Sequence, residues 1–124
     1  MEAALNNLSL FEYFYRDASN YKVWGSVLLK GEAIHAQVTQ IRSCFEAEEF
    51  FIAGQLSLLP LYAALWAFSD GPTDAYHVWH TFHDMQVAGL DQANRTVFDT
   101  VENFISRVEA ISEWNQKLSP HWDL

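Results

Sequence analysis

The stretch LSLFEYFYR, Leu8 to Arg16, followed by DASN at 17–20 and YKVWGSVLLK, Tyr21 to Lys30, decides the fold. In the first segment Leu8, Leu10, Glu12, Phe14 and Arg16 share one parity, and Ser9, Phe11, Tyr13 and Tyr15 the other, which is the period of a strand. Asp17 to Asn20 is a cluster of turn formers. The second segment is again β-like, with Val23, Val27 and Leu29 on one parity, so the pair reads as a β-hairpin. Gly25 within it points to a bulge or a close backbone approach.

Downstream the period changes. From Glu32, with Gly31 as the break, Ile34, Val38, Ile41 and Phe45 recur at helical spacing, with Glu32 in the first turn and Arg42 near the end. Glu46-Ala47-Glu48-Glu49 closes that helix as a charged corner. Phe50 to Leu59 contains Gly54 and stops at Pro60, which predicts a short strand or buried loop, and Leu61 to Phe68 then has room for two helical turns. Ser69 to Asp74 is a strong turn signal. Tyr76 to Val87 alternates, with Tyr76, Val78, His80, Phe82 and Asp84 on one face and His77, Trp79, Thr81, His83 and Met85 on the other.

Val97, Val101, Phe104, Val108 and Ile111, widened by Phe98 and Ile105, predict a long amphipathic helix near the C-terminus. The whole is an α+β chain: an N-terminal β-hairpin, a helix, further short strands and that long C-terminal amphipathic helix. Its 124 residues suit a single domain spanning 1–124, one able to bury roughly two-thirds of its unfolded surface. With half the residues hydrophobic, disorder is excluded as a description of the chain.

The 16 Asp and Glu against 7 Lys and Arg give a formal net charge of −9. Such a field disfavours direct binding to nucleic acid and favours a basic protein surface as partner. Cys44 is the only cysteine, which excludes an intrachain disulfide and fits a reducing compartment. No secretory signal pattern and no apolar run of membrane-spanning length is present, so a cytoplasmic location is expected, with no membrane attachment.

His77, His80 and His83 recur every third residue and Asp84 follows. On a helix His77, His80 and Asp84 would share a face and suit a divalent metal. On a strand His80 points away from the other two, and about 20 Å separates His77 from His83, which favours ordinary hydrogen-bonded histidines. Cys44 sits beside the apolar stripe, with Glu46, Glu48 and Glu49 nearby to disfavour its thiolate, so it reads as a small core residue and not a nucleophile. No phosphate loop, dinucleotide fingerprint or nucleophile elbow is present; no catalytic residue and no cofactor is nominated.

The acidity concentrates in two places. One is Glu46, Glu48 and Glu49; the other is the outer side of the last predicted helix, where Asp99, Glu102, Glu109 and Glu113 would form a stripe of about 21 Å. A stripe of that length can stand in for backbone phosphates, and these seven carboxylates are the expected partner-binding residues.

The segment from Phe11 to Lys22, with Tyr15-Arg16-Asp17 and Asn20-Tyr21-Lys22, then Gly25 and Leu29-Lys30-Gly31, resembles the start of a family of short, uncharacterised bacterial proteins; so does Gly71-Pro72-Thr73-Asp74 leading into His77-Val78-Trp79-His80. The resemblance covers most of the first 85 residues, implies bacterial or mobile-element origin, and supplies no activity. The function expected from all this is a small acidic, non-enzymatic binding protein, with an inhibitor of a bacterial nucleic-acid-handling or defence complex, of the anti-CRISPR kind, as its sharpest form. The alternative is a small metal-binding enzyme or sensor built on the histidine cluster.

Overall fold

The computed structural model describes residues 8–17, 21–62, 64, 77–89 and 95–118. Strand β1, Leu8–Arg16, is the centre of a five-stranded sheet. It pairs antiparallel along its full length with β2, Lys22–Lys30, so the hairpin forms with Arg16 opposite Lys22 and Leu8 opposite Lys30. On its other side it pairs antiparallel with β4, Trp79–Val87, which in turn carries β3, Phe50–Ile52, on its outer edge. A fifth strand, β5, Val97–Thr100, lies parallel to β2 and closes the order β3-β4-β1-β2-β5.

Two helices, α1 at His35–Ser43 and α2 at Val101–Glu109, cover one face. The core lies between them and the odd-numbered side of β1: Phe11, Tyr13 and Tyr15 join Leu29, Ile41, Phe45, Phe51, Phe104 and Val108 in one buried cluster. Ser9, also buried, is satisfied on both counts, since its Oγ donates to Gly31 O at 2.7 Å and accepts from Ala33 N–H at 3.0 Å. That pair of bonds fixes the exit of β2 against the start of β1. Gly25 faces the same side, where a Cβ would lie 2.9 Å from a Leu61 methyl and 3.1 Å from the Tyr13 ring. The glycine is there for a close approach, as its position within a strand suggested.

Three sequence expectations change. The long C-terminal helix is instead a strand followed by a helix of 9 residues. Val97 to Thr100 pair with β2, and Thr100, extended at φ −90 and ψ 159, caps α2 by accepting the Asn103 N–H at 3.0 Å. The helix stops at Glu109 because tertiary bonds take over: Trp114 donates its indole N–H to Cys44 O at 2.9 Å, and Gln55 holds Glu113 O and Asn115 N–H.

Helix α1 begins later than expected, at His35, with Gln37 Oε1 accepting the Ile34 N–H at 3.0 Å, so Glu32 precedes the helix. Cys44 is half-buried and packs against the core at its edge, its Sγ 3.5 Å from Gln40 O. In β4 the alternation slips by one at a bulge opposite Glu12 and Tyr13, which leaves His83 unpaired, sends Asp84 outward and brings Met85 into the core.

Residues 50–59 supply β3 and then a single 3-10 turn, Ala53–Leu56, ended by Ser57 in the left-handed region at φ 60. The predicted turns at 17–20 and 69–74, most of the helical segment 61–68 and the tail beyond Leu118 lie wholly or largely outside the described residues. Among the described residues no helix is long and apolar enough to cross a membrane.

Two stability measurements check this account. Phe11→Ala, which empties the centre of the core, should cost about 3–5 kcal/mol in urea unfolding. Thr100→Ala should cost about 1 kcal/mol, and a neutral result would place the start of α2 elsewhere.

Candidate functional site

Helix α1 ends at Ser43, and the chain must reverse within a few residues to enter β3. Phe45 and Phe51, stacked with centroids 4.9 Å apart, fix both ends of that reversal. Glu46 and Phe50 exchange backbone hydrogen bonds at 2.8 and 2.9 Å, and Glu49 N–H donates to Glu46 O at 3.1 Å. Ala47 and Glu48 both adopt left-handed backbone, at φ 54 and 62, where each non-glycine residue costs about 1–2 kcal/mol. The turn so held presents Glu46, Glu48 and Glu49 to solvent. Arg42, in the last turn of α1, donates from Nε to Glu48 O at 3.3 Å.

The second acidic tract comes to the start of that turn. Gln40 Nε2 donates to Glu109 Oε2 at 2.6 Å, joining the last turns of the two helices. The bond from Trp114 to Cys44 O sets Glu113, its neighbour, alongside the chain that leads two residues later to Glu46. Glu109 and the backbone at Glu113 thus lie beside the C-terminal end of α1, next to the chain that leads into the exposed Glu46; Glu48 and Glu49 instead line a cavity with Phe14, Thr81, Phe82 and His83. The C-terminal ends are the negative poles of the helix dipoles, an effect confined to the last turn, where Glu109 is the one carboxylate and Arg42 and Arg107 are the compensating cations.

The other two carboxylates do not join. Glu102 is exposed in the first turn of α2, about 11 Å along the axis from Glu109. Asp99 lies on β5, only 12% exposed, and pairs with Arg107 at 2.7 Å. Arg107 also donates to Leu56 O at 3.1 Å and covers the Phe98 ring, so this ion pair closes the sheet edge and is not open to a partner.

The histidines are separated. His80 is wholly buried; its Nε2 accepts the Leu61 N–H at 2.9 Å, which leaves Nδ1–H to donate to Val78 O at 3.2 Å. Burial holds its pKa down to about 4; the bond to Val78 works upward and His77 slightly downward. His77 spends both nitrogens on backbone, donating from Nε2 to Arg16 O at 2.6 Å and accepting Trp79 N–H on Nδ1 at 3.1 Å. His83 is exposed on the opposite face of the sheet beside Phe14 and Trp24, and Asp84 accepts the Met85 N–H. Among the described residues no three His, Cys, Asp or Glu side chains come together as a metal site. The buried phenols are likewise structural: Tyr13, pushed by burial to about 12, donates to Leu59 O at 2.8 Å, and Tyr15, also raised by burial, accepts His77 N–H.

A cluster that parity alone could have exposed lies on the even-numbered face of the hairpin. Phe14 and Trp24 face each other across the strands with rings 4.9 Å apart, flanked by Arg16 and Lys22. Pairing the two strands' even positions in the sequence would have shown it.

His80 gives a pH test. Its folded pKa lies below the ordinary 6.5, so the unfolded chain takes up the proton first as pH falls. The stability it supplies is complete above about pH 6.5 and lost by about pH 4, a change of about 3 kcal/mol. Unfolding free energies measured at pH 7 and at about pH 4.5 should differ less in His80→Gln than in the parent chain; equal slopes would remove His80 as the cause. No family model matches the chain, and neither a curated protein nor a solved structure is significantly similar to it.

Proposed function

We propose that this is a non-enzymatic binding protein of the bacterial cytoplasm that sets its negative pole on a basic protein surface. An inhibitor of a nucleic-acid-handling or defence complex, of the anti-CRISPR kind, is the form we favour. One observation carries the reading: Glu109 and the chain at Glu113 are tied to the end of α1 that leads into the exposed turn of Glu46, Glu48 and Glu49, so the two acidic tracts adjoin. A strained turn that displays three of the carboxylates adds to the argument, since strain of this kind persists where the surrounding structure enforces it. A surface that binds phosphate on nucleic acid is matched by such a pole in sign, and association should be fast at low salt and fall steeply as salt rises.

Two charge-neutralised variants separate a directed pole from general acidity. Glu46→Gln, Glu49→Gln and Glu113→Gln together change the net charge by as much as Glu12→Gln, Glu32→Gln and Glu102→Gln. Capture of a basic protein from bacterial lysate at low salt, quantified by mass spectrometry, should be lost in the first set and kept in the second. Equal weakening by both, or no basic protein retained by the parent chain, would be the end of this reading.

A further inference from the structure

Arg16 and Lys22 stand directly opposite each other across β1 and β2, both exposed. Like charges in register destabilise a ladder. The chain has 16 carboxylates to offset them, yet among the described residues neither cation makes an ion pair. Both lie on rings instead: Lys22 Nζ is 4.7 Å from the Phe14 centroid and 5.4 Å from that of Trp24, and Arg16 Cζ is 5.5 Å from Phe14. Beside Arg16 and Phe14 opens a cavity of about 200 Å³, walled by Trp79 and Phe50 and bordered by Thr81 and Glu49. That volume is below the range for drug-sized ligands, and its walls are largely aromatic.

We propose that this corner binds a small planar aromatic anion, one or two fused rings bearing a carboxylate or phosphate. The ring enters the cavity between Phe14 and Trp79, and the anionic group rests on Arg16 and Lys22. Glu49 on the cavity wall sets the orientation, since it repels an anion from that end and leaves the Arg16 end open. His77 steadies the site by its bond to Arg16 O, which holds the backbone that carries the guanidinium. The negative charge of the whole chain keeps long polyanions away, so the ligand is compact. A neighbouring cavity of about 400 Å³ shares Phe14, Glu49 and Thr81, and leaves room for a substituent on the ring. The site adjoins the acidic turn and shares Glu49 with it, while its cations and rings are tested by variants of their own.

Calorimetric titration of the full chain with naphthoate and with adenosine monophosphate tests the proposal and distinguishes carboxylate from phosphate. At least one should bind saturably in about the millimolar range or tighter, while acetate, inorganic phosphate and uncharged adenosine should not. Arg16→Gln with Lys22→Gln should weaken binding by about tenfold or more. Thr81→Trp, which fills the cavity and leaves both cations in place, should abolish it. Backbone amide shifts on titration should centre on Phe14, Arg16, Lys22, Trp79 and Thr81. The proposal is overturned by no binding of either ring-bearing anion, by equal binding of the ring-free anions as an adventitious ion only, or by shifts centred elsewhere.

Discussion

The structure depends on the ring of Phe11, which has no exposed surface and meets a ring from every layer around it. Tyr13 comes from its own strand, Phe45 from the end of α1, Phe51 from β3, Phe82 from β4 and Phe104 from α2, with centroids between 4.9 and 6.5 Å. The pairs are tilted or edge-to-face, the geometry in which the ring quadrupoles attract. Four segments outside β1 are thus held by one side chain.

Filling one face with rings commits the polar groups on that face to structure. His80, Tyr13 and Tyr15 hold the segment from Leu59 to Leu61 and the entry to β4 against the core through bonds to backbone. A neutral imidazole in such a place is a hydrogen-bonding device, and its low pKa follows from burial. Chemistry open to partners is left to the other face and to the ends of the helices. There the chain sorts its charge: carboxylates on the turn after α1 and near the end of α2, and Arg16 and Lys22, without an ion pair among the described residues, beside aromatic rings on the hairpin.

The strained turn at Ala47 and Glu48 links the two themes. Phe45 before it and Phe51 after it are both fixed by the core, so the chain has too few residues for a relaxed path between α1 and β3. The core therefore decides where Glu46, Glu48 and Glu49 are shown, and keeps them there.

What the sequence determined by itself is local. The parity of Leu8 to Arg16 defined both faces of β1, the hairpin followed from the turn formers after it, and Gly25 announced a close approach that Leu61 makes. The concentration of acidic residues in two tracts was also legible. The tertiary structure decided the rest. Val97 and Phe98 fit a helical stripe as well as a strand, and pairing with Leu28 chose the strand. The bulge at His83, the ion pair that takes Asp99 from the surface and the meeting of the two acidic tracts each depend on a partner far along the chain. Periodicity reports how a segment is arranged about its own axis; it carries no record of which distant backbone group will accept its hydrogen bonds.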